Sequence, residues 1–216
     1  STNRHARENQ YMIVGPTEHC HMYRLRDPHV VGDRDMGRVN IGLDDIVYSF
    51  FDYYIKGERN DFPKTQAPVQ YFSMGSNEWQ TAQHWPPRRT TKTKFFIRSN
   101  DGAQSIFGDG VLTTEPPTEN RLDAFSYDPM NPVPSLGGNL CCLGDVLTPG
   151  SFDQRPIEAR DDVLVYTSDP LQSDLEVTGP IDGLLFVSSD ARDTDFTIKL
   201  IDVEPGGVAW NLDEAI

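Results

Sequence analysis

The first pattern in this chain able to support chemistry is Gln10-Tyr11-Met12-Ile13-Val14-Gly15-Pro16-Thr17-Glu18-His19. Its apolar run, Tyr11 to Val14, is too short for a helix and closes at Gly15-Pro16, where proline removes a backbone donor and fixes φ. This predicts a short strand followed by a loop that presents His19. An imidazole titrates near neutrality, so one turned toward a cleft can take a proton from a hydroxyl nucleophile and return it to a leaving group. His19 is the candidate catalytic residue, although an ordinary surface histidine fits the same segment. No G-x-S-x-G elbow occurs in the 216 residues, so the serine that such a histidine serves is expected upstream of residue 1.

Other residue groups invite chemistry and are better read as structure. His19, Cys20 and His21 are metal-type ligands, but no second ligand pair follows at zinc-like spacing, and no metal site is expected. Trp79 and Trp85 could line an acyl pocket, but large aromatics opening a β domain more commonly pack in its core. Asp161-Asp162 could hold a cation with backbone carbonyls, and a turn entering a strand explains the pair as well. Cys20, Cys141 and Cys142 are an odd number without framework spacing. A reducing compartment or incidental thiols are the default, which slightly favours a cytoplasmic setting without deciding it, and the adjacent pair Cys141-Cys142 reads as buried small hydrophobes, with a strained vicinal bridge as the rarer alternative.

A net charge of −14, from 33 acidic and 19 basic residues, repels phosphate backbones and anionic membrane surfaces, which argues against nucleic acid and membrane partners. No run approaches the ~20 apolar residues that span a bilayer. The N-terminus Ser1-Thr2-Asn3-Arg4-His5-Ala6-Arg7 lacks the apolar centre of a secretion signal, so any such signal is expected upstream.

Leu43 to Lys56 places Ile46, Val47, Phe50, Phe51, Tyr54 and Ile55 on one broad helical face. Asp44 and Asp45 complement the start of the predicted helix dipole, Lys56 its end, and Gly57 follows as a left-handed cap. The polar stretch Glu58 to Gln66, with Pro63, then reads as a linker. A domain boundary is expected near residue 63, separating 1–62 from 63–216. Beyond it, strands are predicted over Val69 to Met74, Lys94 to Arg98, Val163 to Thr167, Leu175 to Thr178, Leu184 to Ser188 and Phe196 to Val203. Six short strands punctuated by Gly, Pro, Asn and Asp suggest a sandwich or jelly roll. Residues 99 to 160 read mostly as loop, a length that usually means packing on a neighbour or shaping a site.

Several segments together resemble the cocaine esterase and X-Pro dipeptidyl-peptidase type of serine hydrolase. Ile13-Val14-Gly15-Pro16-Thr17-Glu18-His19 is similar to the family's triad-histidine loop, with Thr17 where tryptophan is common. Phe51-Asp52-Tyr53-Tyr54-Ile55-Lys56-Gly57 is similar to the end of its last hydrolase helix. Tyr71 to Trp79, with His84-Trp85-Pro86-Pro87, resembles the opening of its C-terminal jelly roll. Tyr127 to Gly138, Asp153-Gln154-Arg155, Arg160 to Tyr166 and Asp195 to Val203 resemble later loops and strands of that domain.

The resemblance implies the C-terminal end of an α/β-hydrolase domain (strand, histidine loop, helix), followed by a mostly β jelly-roll sandwich that stops before its closing strands. It implies acyl transfer from a small-molecule ester, an amide or a short X-Pro peptide, with His19 as the triad base and with no metal or organic cofactor. The serine and the triad acid would lie outside this chain, leaving the chain inactive alone. Substrate and oligomeric state stay open. The rival reading is a non-catalytic jelly-roll module for binding or interaction, which fold alone does not exclude.

Overall fold

The computed structural model describes residues 3–19, 21–141 and 146–216. They form two compact units. The first runs to Thr90 with short returns near Leu140 and over Thr178–Asp182, and the second takes most of the chain from Thr91 onward. Strands outnumber helices in the described residues, and the helices are short, so the chain is β-rich. No helix among them is long and apolar enough to cross a membrane.

In the first unit, helix α1 (Arg4–Glu8) is capped by Asn3, whose Oδ1 accepts from the Ala6 amide at 3.2 Å. Strand β1 (Met12–Val14) fulfils the apolar-run prediction. After a 3₁₀ turn (Met22–Arg24) come the hairpin β2 (His29–Val31) and β3 (Arg34–Gly37), then helix α2 (Leu43–Phe51), α3 (Phe62–Thr65), and strands β4 (Val69–Ser73) and β5 (Glu78–Ala82). The sheet order is β1-β4-β5. β1 runs parallel to β4 with Met12 opposite Val69 and Val14 opposite Tyr71, and β4 returns antiparallel into β5. Parallel neighbours need a crossover, which residues 15–68 supply, α2 included. One sheet therefore joins residues from both sides of position 63.

The predicted helix forms over Leu43–Phe51 and runs on through a π-helical turn, Asp52–Lys56, to Gly57 at φ +73°, the left-handed cap expected there. Its aromatic rows part company. Phe50 packs edge-on against Tyr11 and Phe62, and Tyr54 edge-on against Phe62, with centroids 4.9 Å apart for Tyr11 and Phe62 and 5.6 Å for Phe50 and Phe62. Tyr48, Phe51 and Ile55 face outward. The core beside this cluster gathers Leu25, Val31, Met36, Val39 and Phe72, with Met22 and Trp79 packed against it.

In the second unit, β6 (Phe96–Arg98) pairs antiparallel with β7 (Val111–Thr113), and β8 (Ile198–Val203) with β9 (Ala209–Ala215). A register shift between Leu200 and Ile201 interrupts the β8–β9 ladder, because a bulge puts an extra residue into one strand and turns the following side chains. The interior here is partly polar. Buried Gln154 donates from Nε2 to the carbonyl of Leu136 at 2.8 Å and to Asn211 Oδ1 at 3.2 Å, and Asn211 Oδ1 also accepts from the Phe152 amide at 2.7 Å. Residues 99–160 are mostly loop, as expected, with β7 and the four-residue helix α4 (Arg155–Glu158) as their regular elements among the described residues.

Three predicted strands do not form. Val163 to Thr167 makes only isolated bridges, Leu164 with Gln104 and Thr167 with Val111, while Leu175 to Thr178 and Leu184 to Ser188 have no ladder. Apolar spacing supplies strand propensity, but a strand exists only where a neighbour takes its N–H and C=O groups. Leu184 and Phe186 are accordingly exposed, Phe186 at 93%. Cys141 also departs from expectation: it is exposed and disulfide-bonded, not the buried thiol expected there. Cys20 and Cys142 lie outside the described residues.

Candidate functional site

The histidine loop is built by the sheet beneath it. β1 ends at Val14, and Gly15 passes so close to the core that a Cβ there would lie 2.9 Å from the Met22 thioether and 3.2 Å from the Trp79 ring. Glycine suits this close approach because it carries no side chain. Pro16 is buried, which fixes the direction in which the chain leaves the strand. The loop then tightens into a turn in which the His21 amide donates to the Glu18 carbonyl at 3.1 Å, leading into the 3₁₀ turn.

His19 occupies this turn with its side chain exposed. Beside the loop lies a cavity of about 330 Å³, lined by Thr17, Glu18, His21, Arg24, Arg26, His29 and Val30. His19 is not among its walls. The predicted catalytic residue thus borders the hollow through its neighbour Glu18, while His21 and His29 line it. Within it, His21 Nδ1 and Glu18 Oε2 stand 2.8 Å apart. His29 Nε2 is buried and has no hydrogen-bond partner among the described residues. Arg24, Arg26 and His29 are functional candidates only in the folded chain. The signal available was the H-x-x-R-x-R-x-x-H spacing of His21 to His29, which becomes a cluster only because the 3₁₀ turn and β2 fold it around one hollow.

The remaining sequence candidates resolve as structure. Trp79 packs on Phe72 with centroids 5.5 Å apart, and its Nε1 donates to the Val39 carbonyl at 3.0 Å. Trp85 meets Tyr71 at 5.7 Å. Asp162 is gripped by Arg160 through two hydrogen bonds of 2.7 and 2.6 Å, and the Arg160 guanidinium holds its carboxyl below the usual range. Among the described residues, no group of three or more potential metal-ligating side chains gathers.

Asp123 is a part-buried carboxylate of the second unit that accepts from three residues. Burial raises its pKa, but hydrogen bonds from Ser99, Tyr166 and the Ala103 amide outweigh that and lower it overall. It ties three chain segments together, and its place is structural.

Residues 60–216 match the model of the X-Pro dipeptidyl-peptidase C-terminal non-catalytic domain. The chain belongs to the cocaine esterase and X-Pro dipeptidyl-peptidase family, and it carries that family's C-terminal domain. It is 43% identical to cocaine esterase of Rhodococcus sp. over 169 residues, 78% of this chain and 29% of that protein. It is 28% identical over 207 residues to a provisionally named serine esterase of Mycobacterium bovis, and equally to one of Mycobacterium tuberculosis. Each of these alignments takes in 91% of this chain and 29% of the relative. The chain thus spans under a third of the length of the curated relatives it matches, and those relatives carry esterase names.

Proposed function

We propose that this chain is the C-terminal part of a serine hydrolase that cleaves ester or amide bonds by acyl transfer, with His19 as the histidine of its triad. In this reading, residues 1–62 end an α/β-hydrolase domain and residues 63–216 begin a jelly-roll sandwich. The onset of the family-model match at residue 60 supports that division. The observation that carries the function is the 43% identity to an esterase, joined to a β-strand, Gly-Pro break and exposed histidine in sequence.

A serine hydroxyl supplied by another segment of the whole protein would attack the substrate carbonyl. His19 takes the hydroxyl proton as the tetrahedral intermediate forms and returns it to the leaving alcohol or amine, and water then repeats the cycle on the acyl-enzyme. A carboxylate from elsewhere in the whole protein holds the imidazole in the tautomer whose Nε2 faces the serine. The exposure of His19 suits this role, since the ring is not consumed by packing within its own unit.

The test is labelling with a serine-directed fluorophosphonate. The whole protein is expected to label and this 216-residue chain alone is not. Labelling of the chain alone would overturn the assignment of the nucleophile to another segment. One observation favours a second reading for residues 60–216: the matching family domain is described as non-catalytic. On that reading the chain is a binding or docking module of a protein without a serine nucleophile, and a whole protein that fails to label would select it.

A further inference from the structure

We propose that the cavity beside the His19 loop is a carboxylate-binding site, formed by Arg24, Arg26, His21 and His29, which selects substrates carrying an anionic group. Its role in substrate choice rests on the hydrolase reading above; the binding itself does not. The cavity volume of about 330 Å³ lies at the small end of ligand sites and suits a small organic acid.

Its charge runs against the rest of the molecule. The chain carries 33 acidic and 19 basic residues, yet this hollow presents two guanidinium groups and two imidazoles against one carboxylate, Glu18. Neither Arg24 nor Arg26 has an ion-pair partner among the described residues, and cations left unpaired in an acidic protein point to an anion arriving from outside. Arginine presents a planar fork that matches a carboxylate with two parallel hydrogen bonds.

The buried His29 Nε2 adds a second, independent observation. A buried polar nitrogen without a partner costs free energy, which an incoming oxygen acceptor relieves if the nitrogen carries the proton. Two carboxylates temper the site. Glu18 engages His21 at 2.8 Å, and Asp27, which carries negative charge near His29, is committed through Oδ1 to the amides of Val39 and Asn40 at 2.7 and 3.0 Å. Glu18 is therefore the competitor that a bound carboxylate must displace from His21.

The probe is succinate, titrated into the isotope-labelled 216-residue chain at pH 7 and constant ionic strength while histidine ring resonances are followed, with inorganic phosphate in a parallel arm. Saturable shifts of His21 and His29 with succinate are expected. Arg24→Gln and Arg26→Gln, both at exposed positions, should each weaken binding about tenfold, the loss of one charge-assisted contact. Glu18→Gln should tighten it, a gain that a merely structural role would not produce. Absence of saturation, insensitivity to both arginine variants, or saturation by phosphate alone overturns the proposal. None of these outcomes involves a nucleophile, so the labelling experiment can succeed where this one fails.

Discussion

The indole of Trp79 joins the histidine loop to its foundation, and Trp79→Phe is the perturbation that tests this most sharply. The indole N–H donates to the carbonyl of Val39, a residue with no exposed surface, and the ring packs on Phe72 and beneath Gly15. Phenylalanine keeps an aromatic ring but leaves that carbonyl without its donor, costing about 1–3 kcal/mol, and the smaller ring adds roughly 1 kcal/mol of lost packing. The sum is about 2–4 kcal/mol, concentrated in the first unit. Amide hydrogen exchange reads it site by site. Protection in β4 and β5 should fall by that amount, as should protection of the His21 amide that closes the loop on Glu18, while β8 and β9 stay unchanged. A change under about 0.5 kcal/mol at β4, β5 and His21 would refute the idea that this indole supports the loop.

Asn211→Ala strips the donor and acceptor that serve Gly150, Phe152 and Gln154, and should lower the urea stability of the second unit by about 2–4 kcal/mol, with a null effect arguing that water replaces the amide. Burial, then its hydrogen bond with Tyr11, pushes the Tyr54 phenol up to about 12. The folded state holds that proton more tightly than the unfolded chain, so the contribution is complete below about pH 10 and is lost as pH rises toward 12. Tyr54→Phe should flatten that alkaline loss in stability-versus-pH curves. Hydrogen bonds from Arg155 hold Asp153 down at about 2, with desolvation opposing and the Ala209 amide assisting. The sign is opposite here: the contribution is present above about pH 4 and disappears as pH falls toward 2. Arg155→Gln should raise the acid midpoint, and an unmoved Asp153 titration by carbon-detected NMR would contradict the pairing.

Local signals were legible where one short segment decides its own structure. The run Tyr11 to Val14 became β1, the Leu43 face became a helix ending at Gly57, and Val69 to Met74 became β4, because apolar period and glycine placement act within a few residues. Strands that depend on a partner were not legible in the same way. Leu184 to Ser188 has the composition of a strand and finds no ladder, whereas Glu78–Ala82, polar at three of its five positions, becomes β5 because the Gly75 turn folds it back on β4. The exposed histidine of the candidate site could be read from spacing alone. Its cationic neighbours could not, since Arg24, Arg26 and His29 converge only through the turn and hairpin that follow.

In the proposed hydrolase, His19 is the proton carrier. In the whole protein, steady-state hydrolysis of a p-nitrophenyl ester by His19→Ala should fall in kcat by about 10³-fold or more. His84→Ala, exposed and remote in sequence, should turn over like the parent. Retention of near-parental kcat by a folded His19→Ala variant would contradict the central assignment.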